Sequence, residues 1–192
     1  KVAPVDYGPS NIESRHVVHF DRAEYEPRTG GMAKTVPDGE LASVRLGNWD
    51  ADDHAERIEF TFDVDTIKFP VLLLKYMPIL EAPGHDDHEN PRFKLDILIN
   101  GTSIGDCGRA DFNANDVLVG GNGDVKPEYV QQGWHKTPHE ISQTSADIVW
   151  KEWTTVGVNL RNKAYAGKQL TARLTTHDCT FSAHCGYAYF TH

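Results

Sequence analysis

The run from Trp150 to Phe190 contains three short stretches in which apolar side chains recur at every second position. Val156, Val158 and Leu160 share one face, Leu170, Ala172 and Leu174 another, and Tyr187 and Tyr189 alternate with Ala188 and Phe190. A period of two puts successive side chains on opposite faces of a strand, so this part of the chain buries its apolar surface as sheet, not as helix. The same period appears upstream. In Arg57–Asp65, Ile58, Phe60, Phe62 and Val64 point one way and the charged residues the other, as in a half-buried antiparallel strand. Val71–Leu80 is more continuously apolar, as expected of a central strand covered on both faces, with Pro78 limiting ladder pairing at its end.

Phe93–Ile99 alternates again and runs into Asn100-Gly101, the dipeptide of a two-residue hairpin turn, with a return strand from Thr102 to Ile104. No segment keeps a helical period for three turns. Many short strands punctuated by turn residues predict an all-β fold, a jelly-roll-like antiparallel β-sandwich with long polar loops. The longest excursion, 113–146, is polar and most flexible at Gly120-Gly121-Asn122-Gly123-Asp124. Loops of that length are commonly functional or disordered.

A chain of 192 residues is ordinary for one such domain. Residues 1–40 are rich in proline, glycine and charge and contain one short strand candidate, His16–Phe20; they are expected to wrap a β-sandwich formed by 41–192, which opens with a second short strand, Leu41–Leu46. The N-terminal Lys1-Val2-Ala3-Pro4 includes no initiator methionine or signal peptide, and reads as a start left by processing or as part of a longer chain.

A net charge of -9 without clustered lysine and arginine argues against nucleic acid as a partner. The longest apolar stretch, Val71–Leu74, is broken by Lys75 and is far short of the roughly 20 residues of a membrane span. An acidic surface suits calcium or plain solubility. Asp50, Asp52 and Asp53 form one oxygen-rich loop and Asp111, Asn113, Asn115 and Asp116 another, neither with the spacing of an EF-hand. Solvated acids in turns are the simpler reading of both.

The three cysteines, Cys107, Cys179 and Cys185, leave an odd thiol. Cys179 pairing with Cys185, Cys179 pairing with Cys107, and reduced buried thiols are all compatible with the spacing. His85-Asp86-Asp87-His88 offers two histidines three apart, a conceivable zinc grip that lacks a third ligand at a telling spacing. Trp134 and His135 sit in the long polar loop, where an exposed indole could serve as a stacking platform for a sugar, whereas Trp150 and Trp153 read as core. No Gly-x-Ser-x-Gly elbow, phosphate loop or His-Glu-x-x-His helix is present. Cys185 and His184 are adjacent, and strand alternation would point them to opposite faces.

Five segments stand in an order that resembles a module of large secreted surface proteins from Bacteroidetes-type bacteria, which carry gliding-motility or type IX secretion domains. They are Ser43–Asn48, Pro83-Gly84-His85 with Asn90–Phe93, Trp153–Leu160, Tyr165–Lys168, and Asp178-Cys179 with His184–Tyr189. The likeness spans about residues 41–190 and departs at Cys185, where an aromatic residue is expected, and at the long insertion around 117–146. It implies a jelly roll, an extracellular, cell-surface location, and adhesion or glycan binding without catalysis. The resulting expectation is a non-catalytic module that binds a glycan or a surface protein and contacts neighbouring domains of a longer chain. Its ligand contacts would be Trp134, His135, His85 and His88, with calcium at Asp50, Asp52 and Asp53. Arg92, Asp178, Cys179, His184 and Cys185 would lock the fold, with Arg92 and Asp178 as a charge-assisted pair between two loops. A structural spacer of a surface filament and a glycan-active hydrolase are the alternatives.

Overall fold

A computed structural model of the chain describes residues 6–7, 15–50, 53–105 and 108–192. Two sheets pack face to face. The larger has eight strands in the order β1 (Asp6–Tyr7), β2 (His16–His19), β3 (Ser43–Leu46), β13 (Gly186–Thr191), β5 (Val71–Glu81), β10 (Ile148–Lys151) and β9 (Trp134–Thr137), with β11 (Thr154–Asn159) also on β5. The smaller has five: β4 (Ala55–Asp63), β12 (Gln169–His177), β6 (Arg92–Ile99) and β7 (Thr102–Ser103) in line, with β8 (Arg109–Asn113) also on β6. All pairings are antiparallel except β1 with β2. The two cores of this arrangement, β3-β13-β5-β10/β11 facing β4-β12-β6-β8, have the interleaved strand order of a jelly roll.

The alternation read from the sequence builds the inter-sheet core. Leu170, Ala172 and Leu174 of β12, Phe93, Leu95, Ile97 and Ile99 of β6, and Ala188 and Phe190 of β13 meet there. The Asn100-Gly101 hairpin forms with positive φ at both residues, 46° and 79°, the type I′ geometry whose twist matches the flanking strands. Pro78 pairs with Ala188 of β13 and, among the described residues, has no partner on the other side of its strand. It lies inside β5, between Tyr76, the last residue paired with β11, and Ile79, the first paired with β10. A residue without an N–H is tolerated at this change of partner, where no ladder bond is required of it.

The opposite face of the larger sheet is covered over the second half of β5 only, Val71 and Leu73 being exposed where the expected cover on both faces is missing. Met77, Ile79, Ile148, Trp150, Cys185, Tyr187 and Tyr189 form a second cluster under Ala33, with Trp49 and Trp153 at its edge. The covering segment follows β2, which itself joins the sheet beside β3. It folds back on itself through Glu26 N–H to Ala33 O (2.8 Å) and Thr35 N–H to Glu24 O (3.0 Å), around a short 3-10 turn at Pro27–Thr29. Its buried Glu26 carboxylate accepts the hydroxyls of Tyr187 (3.0 Å) and Tyr189 (2.5 Å) and the amide of Arg28 (2.9 Å).

The excursion at 113–146 is structured. It contains single-turn helices α1 (Ala114–Val117), α2 (Pro127–Val130) and α3 (His139–Ser142), and it supplies edge strand β9. Its helices are too short for a sequence period to reveal them. No helix among the described residues is long and apolar enough to cross a membrane.

Candidate functional site

Two places gather chemistry-bearing side chains. The first is a groove of about 550 Å³ between the covering segment and the outer face of β5, β10 and β11. Tyr25, Lys34 and Asp38 line it from the segment; Lys75, His135, Glu152 and Trp153 line it from the sheet side. Strand pairing explains its floor. His135 of β9 lies directly across from Trp150 of β10, and their rings stack at 4.4 Å. Trp150 Nε1 donates to Thr137 Oγ1 (3.0 Å), two residues along β9 on the same face, and His135 Nε2 lies 2.9 Å from Glu152 Oε1. Trp153 Nε1 donates to Lys34 O (2.8 Å), which ties the wall to the covering segment. Lys34 pairs with Asp38 (2.7 Å), and Lys75 pairs with Glu40 (2.5 Å).

This corrects the reading of Trp134. The indole is only 1 % exposed and packs on Phe112 and Tyr129 in the inter-sheet core, so it is no platform. The reason is period two: β9 turns Trp134 inward and His135 outward. Trp150 is core, as read from the sequence, while Trp153 is half-buried at the groove. Tyr25, Lys34 and Asp38 come from a segment with no period of its own, so the sequence signal for the groove is Glu152-Trp153 beside β10.

The second place is the end of the sandwich where the β5–β6 and β12–β13 loops meet. Cys179 Sγ lies 3.2 Å from His184 Nδ1, and the His85 ring stands 4.9 Å from that of His184 and 5.2 Å from that of Phe181. One ligand atom from each of His85, Cys179 and His184 falls within 4.8 Å of the other two. Cys179 is fully buried, and Ala183 N–H reaches its sulfur at 3.4 Å. Burial pushes the His184 imidazole below its ordinary value; Glu81 opposes this and His85 adds to it.

Strand alternation in the sequence bears on His184 and Cys185 and gives no sign that Cys179 meets His184. The structure brings them together because residues 178–185 form a turn between β12 and β13: Cys179 N–H donates to His184 O (2.9 Å) and Ser182 adopts a positive φ of 53°. Cys185, which begins the return to strand, does face away, into the cluster under the covering segment. Burial, and then Glu81, push its thiol well up. Both Cys179 and Cys185 are free thiols, so the bridge between them is not formed. Cys107 lies outside the described residues.

The loop carrying His85 is held from below. Asn90 Nδ2 donates to His85 O (2.7 Å) and Asp86 O (2.8 Å), and the Asn113 and Asn115 amides donate to Asp87 O and His85 O. Thr180 N–H to Glu89 O (3.2 Å) joins the two loops. His88 does not join His85; its side chain is 79 % exposed beside Glu89. Arg92 forks onto Asp111 (2.6 and 2.8 Å) on the adjacent strand β8, not onto Asp178, whose Oδ1 accepts Gly186 N–H (2.7 Å). Register decides this, because β8 runs beside β6 and sets Asp111 within reach of Arg92. Asp50 and Asp53 are exposed, and Asp52 lies outside the described residues. Among the described residues, the His85–Cys179–His184 group alone assembles three such ligands, and a thiolate with two imidazoles is not a calcium donor set.

Comparison of the chain with protein-family models, with curated proteins and with solved structures finds no match.

Proposed function

We propose that this domain is a non-catalytic binding module that holds a glycan in the groove beneath residues 25–38, as an adhesion domain of a larger extracellular, cell-surface protein. The composition of the groove carries this reading. Saccharide recognition needs aromatic faces for the sugar ring and nearby directional polar groups for its hydroxyls. Tyr25, His135 and Trp153 supply the first; Lys34, Asp38, Lys75 and Glu152 supply the second, with both signs of charge. A volume of about 550 Å³ is in the range of ligand sites and large enough for a few sugar rings.

A glycan array, followed by titration calorimetry on any hit, tests the reading. Tyr25→Ala and His135→Ala are expected to weaken binding about tenfold or more each, at the scale of a lost stacking contact, with little change in melting temperature for Tyr25→Ala and a modest fall for His135→Ala, which loses its stack on Trp150. An array without hits, or hits indifferent to both substitutions, would overturn it. One observation favours a structural spacer instead: Ile67, Phe69, Val71 and Leu73 are all exposed within one short stretch of chain, a surface of the kind a neighbouring domain covers.

A further inference from the structure

Outside the groove, the group at the sandwich end has the composition of a metal centre. We propose that His85, Cys179 and His184 bind one zinc ion, which clamps the β5–β6 loop to the β12–β13 loop. The donor chemistry points to zinc. One thiolate and two imidazoles are borderline-to-soft ligands, and zinc takes sulfur at about 2.3 Å and imidazole nitrogen at about 2.0–2.1 Å in a tetrahedron. Those bond lengths place neighbouring ligand atoms roughly 3.4–3.6 Å apart. The sulfur of Cys179 and Nδ1 of His184 are 3.2 Å apart, and all three ligand atoms lie within 4.8 Å. A small swing of the His85 ring therefore completes the set.

Two further observations belong to the same place. His85 Nδ1 is buried and has no hydrogen-bond partner, an expense that a metal contact or its outer partner would remove. The ligands also come preorganised. Ala183 N–H supports the sulfur, and the Asn90 and Asn115 amides grip the His85 carbonyl, the kind of outer support that orients metal ligands. No fourth Cys, His, Asp or Glu of the described residues joins the group, so a tetrahedral ion would take an external molecule in its last position. Among the described residues, the backbone hydrogen bond from Thr180 to Glu89 links these loops near the cluster.

Untagged full chain, with its thiols reduced, is titrated with Zn²⁺ against a chromogenic chelator and with Co²⁺ as a spectroscopic substitute. One equivalent of either metal is expected to bind, with a thiolate-to-cobalt charge-transfer band, and zinc should raise the melting temperature. Cys179→Ser abolishes the band, and His85→Gln, in a partly exposed loop, weakens zinc about tenfold or more. Cys185→Ser and His88→Ala keep both signals. Substoichiometric binding by the parent chain, a band that survives Cys179→Ser, or a Cys107–Cys179 disulfide in protein purified without reductant would overturn the proposal.

Discussion

Tyr189 donates its hydroxyl to the Glu26 carboxylate at 2.5 Å, which fastens a segment near the start of the chain to its last strand. Glu26 is 1 % exposed and also receives the Tyr187 hydroxyl. This buried carboxylate holds the covering segment over the sheet and so sets the roof of the groove.

Glu26→Ala is therefore expected to cost about 2–4 kcal/mol, because it leaves two buried hydroxyls unpaired. Glu26→Gln keeps an acceptor and should cost less. Urea denaturation measures the loss, and limited proteolysis should show faster cleavage within residues 20–40 in the alanine variant.

The same buried tyrosines make the fold sensitive to alkali. Burial, reinforced by Glu26, raises the Tyr187 and Tyr189 phenols well above 10.0, and burial pushes Tyr76 up to about 12. A phenol raised in the folded state stabilises it fully below pH 10.0, the unfolded value, and that stability is lost as pH climbs toward the folded value. In a spectrophotometric titration of the seven tyrosines, Tyr187 and Tyr189 should ionise only with unfolding, and Tyr76 late, at about 12.

Acid acts through other groups. Burial alone would raise the Asp111 carboxyl, but the Arg92 hydrogen bonds and charge outweigh it and hold it below 3.8; Asp147 behaves likewise through His139 and Lys136. A depressed carboxylate stabilises the fold above its unfolded value, and the contribution disappears as pH falls through 3.8 and below. Arg92→Ala should cost roughly 1 kcal/mol at pH 7, discounted for its partial exposure, and flatten the acid limb of a melting-temperature profile. A profile unchanged by the substitution would rule out this pair as a source of acid sensitivity.

Gly186 opens β13 where the chain leaves the turn. A Cβ there would stand 2.5 Å from His177 O and 3.0 Å from Pro91 Cβ, against backbone that β12 pairing holds in place. Gly186→Ala is expected to destabilise by about 1–3 kcal/mol through overpacking, measured by chemical denaturation. It should also disturb the turn that carries Cys179 and His184.

Much of the strand layout was legible from residues alone. Ile58 to Val64, Phe93 to Ile99 and Leu170 to Leu174 alternate because each strand has one face on the inter-sheet core, and Asn100-Gly101 marks its hairpin because both positions need positive φ. These are local properties, within reach of a reading along the chain. Alternation says nothing about Cys179 and His184, where the backbone turns and side chains five positions apart converge.

The sequence by itself determined that this protein is all-β, since a period of two buries apolar side chains along one face of a strand. Only the tertiary structure decided which polar residues meet. Trp134 went inside and His135 outside by strand register, Arg92 took Asp111 by strand adjacency, and His85 reached Cys179 and His184 across two loops nearly a hundred positions apart. Such encounters follow from how the sheets stack and cross-connect. That information is spread over the whole chain, and no short stretch of residues contains it.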